Sequence, residues 1–143
     1  MSILIQNGTL LCPDGPIRAD LRVAGDRIAE IGVSLPVRDS RIIDAAGKLV
    51  FPGFIDTHMH VESTMMTPEN FGRAAILCGT TTVLVDPHEI ANVCGVKGID
   101  YMLQATQGLP LDVHFMLPSC VPAAPVDESG AELTWRDINA YFD

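Results

Sequence analysis

Long apolar runs are missing from this chain: nothing approaches the ~18 consecutive apolar residues of a membrane span. A secretory leader is missing too. Met1-Ser2-Ile3-Leu4-Ile5-Gln6-Asn7-Gly8 has neither a basic start nor a long apolar stretch behind it. Basic residues are scarce, 9 Lys and Arg against 18 Asp and Glu, for a formal charge of −9. Such a surface repels phosphate backbones and anionic lipid, so neither nucleic acid nor membrane is an expected partner. No two of Cys12, Cys78, Cys94 and Cys120 have Cys-x-x-Cys spacing. Buried free thiols in a reducing cytoplasm are expected, rather than a zinc knuckle or a disulfide framework. Internal repeats and low-complexity tracts are absent. Hydrophobic residues make up 48% of the 143 positions and charged residues 19%, which supports a packed core and argues against disorder.

Residues 1–51 read as short strands separated by turns, a small antiparallel system. Ile3–Gln6 and Thr9–Cys12 flank Asn7-Gly8, a hairpin signal. Pro13-Asp14-Gly15-Pro16 reads as a loop, and Asp20–Ala24 and Arg27–Ile31 alternate around Gly25-Asp26. Arg41–Asp44 and Lys48–Phe51 flank a turn at Ala45-Ala46-Gly47. From Pro52 the texture changes. Gly53–His58 is a short apolar run with a polar end, and Thr80–Asp86 is β-branched and apolar, as a buried parallel strand is. Between them Pro68–Cys78 has helical spacing, with Thr67 as N-cap, Asn70 at N3 and Gly79 after the end. Ile99–Ala105 is a second helix, Leu111–Leu117 a third strand, and Thr134–Phe142 a helix opened by Thr134 and Asp137. Strands alternating with helices imply βαβ units and a parallel sheet. Three strands leave a closed (β/α)8 barrel and an open sheet both possible.

The sharpest chemical feature is Pro52-Gly53-Phe54-Ile55-Asp56-Thr57-His58-Met59-His60. Alternation along a strand puts His58 and His60 on one face, with Asp56 beside them. Two imidazoles at the C-terminal end of a buried strand make half a metal site; the bland alternative is two ordinary histidines at a strand end. Glu62 follows, as a carboxylate that orients an imidazole, a substrate contact or a plain loop acid. The second strand ends in Asp86-Pro87-His88-Glu89, and Pro87 is expected to throw His88 and Glu89 into a loop at the same rim. The third ends in Pro118-Ser119-Cys120-Val121-Pro122, where Ser119 and Cys120 either touch a ligand or shape a turn. No base stands beside Cys120, so it is not read as a nucleophile. His114, between Val113 and Phe115, reads as a core histidine.

These runs resemble a known family. A β-rich segment leading into Pro-Gly-Phe-Ile-Asp-x-His-x-His is similar to the amidohydrolase superfamily. Within it, the run from Pro52 through Glu62-Ser63-Thr64 to Pro68 resembles the adenine deaminases, as do Asp86-Pro87-His88-Glu89-Ile90-Ala91-Asn92-Val93 and Pro118-Ser119-Cys120-Val121-Pro122-Ala123. The first motif is shared by many cyclic amidohydrolases; the other two are more specific. The resemblance covers nearly the whole chain. It implies an α/β protein: 1–51 as strands of a small β-sandwich domain, then 52–143 as the first three βα units of a TIM-type barrel, incomplete here. It implies hydrolytic deamination of adenine to hypoxanthine and ammonia in the complete enzyme. The cofactor implied is a divalent metal, Mn, Fe or Zn, binuclear in that enzyme. His58 and His60 would be ligands, Asp56 and Glu62 would support them, and His88 and Glu89 would line the substrate side. The family draws its other ligands from later strands, so these 143 residues are expected to be an N-terminal portion. They would be inactive alone, and a homo-oligomer or dependent on a complementing segment. The cytidine-deaminase zinc signature, His-x-Glu with Pro-Cys-x-x-Cys, is absent. The alternative within the superfamily is another cyclic amidohydrolase, such as a hydantoinase or dihydroorotase.

Overall fold

The computed structural model describes residues 2–119 and 121–142. The chain divides into two compact units, Met1–Pro52 and Gly53–Asp143.

The first unit holds seven strands: β1 (Ser2–Gln6), β2 (Thr9–Cys12), β3 (Gly15–Arg18), β4 (Asp20–Ala24), β5 (Arg27–Gly32), β6 (Ser40–Asp44) and β7 (Leu49–Val50). They form two sheets, in the orders β5-β4-β1-β6 and β3-β2-β7. The expected hairpin at Asn7-Gly8 does not exist, because β1 and β2 belong to different sheets. Asn7 does take the left-handed conformation, at φ 63°. Its amide N–H donates to Asp20 Oδ1 at 3.0 Å and its side chain donates to Asp44 Oδ1 at 3.0 Å. Those bonds steer the chain from one sheet to the other. The hairpin is instead β2–β3, with Cys12 opposite Gly15 across Pro13-Asp14. The expected β4–β5 hairpin is present. The system is also mixed rather than antiparallel, since β1 runs parallel to β6 and β2 parallel to β7. Leu4 and Leu10 are buried on it.

The second unit alternates strand and helix: β8 (Phe54–Met59), a 3-10 turn (Glu62–Thr64), α1 (Pro68–Leu77), β9 (Thr80–Val85), α2 (His88–Cys94), α3 (Val96–Ala105), β10 (Asp112–Phe115) and α4 (Trp135–Asn139). The three strands are parallel in the order β10-β9-β8. Val83 and Val85 of the middle strand are buried with Val61, Met102 and Leu111, and Phe71, Ala75 and Ile76 of α1 pack on them. Each such side chain contributes about 1.5–3 kcal/mol by leaving water. Ala91, Ile99, Val121 and Leu133 form a second cluster joining α2, α3 and the chain before α4.

Local signals explain the helix ends. Thr67 caps α1 by accepting the Asn70 amide, Pro68 occupies its first turn, and Gly79 at φ 90° follows its end. Gly53 is needed for a different reason: a Cβ there would overlap the Thr81 side chain. Two further expectations fail. His114 is exposed, not in the core; Val113 and Phe115 take the core-facing positions of β10 and leave the alternate one outside. The thiols are not buried either. Cys12 is half-buried, while Cys78 and Cys94 are exposed at the ends of α1 and α2, where an apolar neighbourhood in sequence does not decide the face. Cys120 lies outside the described residues.

Candidate functional site

The polar rim of the second unit starts where β8 ends. His58 is exposed and His60 half-buried, with ring centroids 5.0 Å apart. The alternation assumed for Asp56, His58 and His60 is interrupted. Asp56 stands beside Val83 and Met59 beside Val85, so β8 carries one extra residue between them. Asp56 turns its carboxylate onto the chain, accepting the His58 amide N–H at 3.2 Å.

At the end of β9, Pro87 does not lead into a loop. It caps α2, and His88 and Glu89 form that helix's first turn. Proline is tolerated there because it removes an N–H that would have no helical partner. Two neighbouring carboxylates satisfy two of the remaining donors. Asp86 Oδ1 accepts the His88 amide at 3.2 Å, and Glu62 Oε1 accepts the Ile90 amide at 3.1 Å. Ser63 Oγ donates to Glu89 Oε1 at 2.5 Å. The 3-10 turn after β8 thus straps the first turn of α2. Glu62 Oε2 is buried without a hydrogen-bond partner.

The three histidines converge. His60 and His88 have centroids 4.7 Å apart, nearly perpendicular at 89°. His60 Nδ1 lies 2.7 Å from the main-chain oxygen of Asp86. A carbonyl only accepts, so this nitrogen carries a proton, and in the neutral ring Nε2 keeps its lone pair. Two overlapping groups could hold a metal ion, His58 with His60 and Asp86, and His60 with His88 and Glu89; within each, the candidate ligand atoms lie within 4.8 Å of one another. Paired imidazoles with a carboxylate suit zinc, iron or manganese.

Beside this cluster is a cavity of about 300 Å³ lined by His58, Asp86, His88 and Ser119, with Met116, Leu117, Pro118 and Ala123 as its apolar wall. Of the residues singled out in the sequence, His58, His60, His88 and Glu89 come together, and Ser119 faces the same cavity as His58 and His88. Asp56 and Glu62 bind backbone instead of imidazole. The residue missed was Asp86. Its signal was available: it is the first polar residue after a buried strand, at the rim that carries the other candidates.

The amidohydrolase family model matches residues 49–143. The chain is 52% identical over 127 residues to an adenine deaminase of Clostridium acetobutylicum, covering 89% of this chain and 22% of that one. It is 56% identical over 103 residues to an adenine deaminase of Syntrophobacter fumaroxidans, covering 72% and 18%. Among solved structures it resembles a D-hydantoinase at 33% identity and a TM-score of 0.67, over 82% of this chain and 27% of that one. The chain spans about a fifth of the length of these curated relatives.

Proposed function

The chain belongs to the amidohydrolase family, a metal-dependent family built on a TIM-type barrel, and from that premise we propose that it forms the first part of the active site of an adenine deaminase. The observation that carries this reading is the histidine cluster at the C-terminal ends of β8 and β9, opening onto a cavity of about 300 Å³. That is where parallel α/β folds place their chemistry.

In this reading His58 and His60 hold a divalent ion, Mn, Fe or Zn, in a centre that is binuclear when complete. The fit rests on the His60 tautomer, which the Asp86 carbonyl sets with Nε2 unprotonated. When bound, such an ion lowers the pKa of a water towards ~7 and so makes a nucleophile available at neutral pH. The chain's own residues bind and aim the substrate. Met116, Leu117 and Pro118 offer an apolar wall to the flat face of a purine, while His88, Ser119 and Asp86 offer polar atoms to its nitrogen edge. Glu89 stands on the substrate side with His88, and Cys120, next to Ser119 in sequence, is proposed as a further substrate contact. Asp56 and Glu62 support the site through backbone bonds. The product pair is hypoxanthine and ammonia, so an acid must protonate the departing amine. Two imidazoles leave an ion largely solvated. We therefore assign turnover to an assembly that adds further ligands, from a complementing segment or a second copy. The strands of residues 1–51 belong to a small β-sandwich domain in this scheme. We place the chemistry in the cytoplasm, which the free thiols of Cys12, Cys78 and Cys94 fit. No helix among the described residues is long and apolar enough to cross a membrane.

A hydantoinase-type activity is the other reading within the family, and the solved structure at 33% identity favours it. The identities of 52% and 56% to adenine deaminases weigh more. The test is a substrate panel on the chain joined to the remainder of such a relative: adenine, hydantoin and dihydroorotate, followed by absorbance. Adenine loss with hypoxanthine formation is expected. Hydrolysis of hydantoin with adenine untouched would overturn the assignment.

A further inference from the structure

We propose that Asp86 is a positioning residue that sets the tautomers of both His60 and His88, leaving the Nε2 lone pairs of both rings available at the rim. This deepens the reading above and rests on it for what the two rings do. Asp86 stands at the end of β9 and touches both histidines through different groups. Its main-chain oxygen meets His60 Nδ1 at 2.7 Å. Its carboxylate Oδ2 lies 3.3 Å from His88 Nδ1, and its Oδ1 accepts the His88 amide at 3.2 Å. Its own amide donates to the Met59 oxygen at 2.9 Å, which fixes it against β8 between the two histidines of that strand's end.

The His88 contact decides a proton. Nδ1 is buried and makes no formed hydrogen bond, although Asp86 Oδ2 is 3.3 Å away. An ionised carboxylate has only acceptor oxygens. If Nδ1 held a lone pair, that buried nitrogen and an acceptor oxygen would face each other 3.3 Å apart, which is unfavourable on both sides. A proton on Nδ1 removes that conflict and puts a partial positive charge beside Oδ2, 3.3 Å away, without forming an aligned hydrogen bond. Oδ1 is already committed to the helix amide, so the carboxylate cannot swing away without uncapping α2. Asp86 therefore couples two tasks: it opens the helix that carries His88, and it chooses which nitrogen of His88 is protonated. His60 receives the same choice from the backbone of the same residue. With both Nδ1 atoms protonated, Nε2 is the acceptor of each neutral ring, and the two rings stand nearly perpendicular with centroids 4.7 Å apart.

The tautomers are read directly by long-range 1H–15N correlation spectra of the 15N-histidine-labelled chain, without metal or substrate, so the outcome does not depend on adenine turnover. The parent should show His60 and His88 both protonated at Nδ1. Asp86→Ala should return His88 to the Nε2-protonated form that predominates in water and leave His60 Nδ1-protonated, because a side-chain change keeps the carbonyl. Asp86→Asn retains an acceptor oxygen; it should keep the slowed exchange of the His88 amide, which Asp86→Ala speeds at least tenfold. Methyl signals of Val83 and Val85 report whether each variant is folded. A zinc titration separates the two roles the carboxylate could have: affinity within threefold of the parent in Asp86→Asn is expected for positioning. A His88 ring protonated at Nε2 in the parent, or unchanged in Asp86→Ala, overturns the proposal. So does a loss of zinc affinity in Asp86→Asn as large as that of His58→Ala, which would make Asp86 a ligand.

Discussion

His60 Nδ1 and the main-chain oxygen of Asp86 lie 2.7 Å apart, a contact between residues 26 positions apart in sequence. It joins the ends of two neighbouring strands through a ligand candidate. The imidazole is aimed by the sheet and not by its own strand alone, so the site should be sensitive to changes in sheet packing as well as to removal of donors.

Removal of a donor is the direct case. His58 is exposed, so His58→Ala should leave the helical circular dichroism unchanged. It should weaken zinc or manganese binding on the order of tenfold or more, since it removes a nitrogen that touches the ion rather than a group that only orients one. Calorimetric titration measures this, and equal affinity in parent and variant would remove His58 from the metal site.

The 143-residue chain by itself should not deaminate adenine with excess zinc, manganese or ferrous iron. Catalytic zinc sites have three protein ligands and an oriented outer shell, whereas His58, exposed, and His60, half-buried, are the two ligands assigned in this chain. Turnover that disappears in His58→Ala would show the ligand count to be wrong.

Sheet packing is tested at Gly53. Gly53→Ala should cost about 1–3 kcal/mol, as overpacking does, because its Cβ would overlap Thr81. In the double variant Gly53→Ala/Thr81→Gly the loss should be smaller than the sum of the two single losses. Denaturation midpoints report the coupling, and simple additivity would contradict the contact.

Self-association is expected. The three-stranded sheet ends in β8 and β10 as edge strands, and Ile55 of β8 is 61% exposed. Edges with apolar side chains pair with other chains. Light scattering should give a mass that rises with concentration; a monomer at every concentration would refute this.

Tyr141 supplies a pH test. Burial, and then the Asp100 carboxylate that accepts its O–H at 2.7 Å, push its phenol up to about 12. The folded value lies above the unfolded one, so the contribution to stability is complete below the unfolded value of ~10. It is lost as pH climbs from there through the folded value. Ultraviolet titration should find a phenol ionising near 12, shifted towards 10 in Asp100→Asn.

Much of the second unit was legible because its signals are short-range. A cap at Thr67, a left-handed glycine at position 79 and apolar runs ending in polar residues each occupy a few neighbouring positions, and all three parallel strands fall where those runs lie. The helix at His88 was hidden by Pro87, whose role as terminator or as cap depends on which acceptors stand nearby. Those acceptors, Asp86 and Glu62, are brought there by β9 and by the turn after β8.

Hydrophobic patterning and the His-x-His spacing by themselves determined the parallel sheet and its histidine-bearing end, since side-chain period and burial are properties of each strand alone. Only the tertiary structure decided which strands of the first unit pair. Asn-Gly permits a hairpin there, but Asn7 is held by Asp20 and Asp44, 13 and 37 residues away. The tertiary structure also decided that His60 and His88 share one partner. A carbonyl and a carboxylate of Asp86 reach two rings only once β8 and β9 lie side by side, because hydrogen bonds act over about 3 Å while the chain between those groups is free to run anywhere.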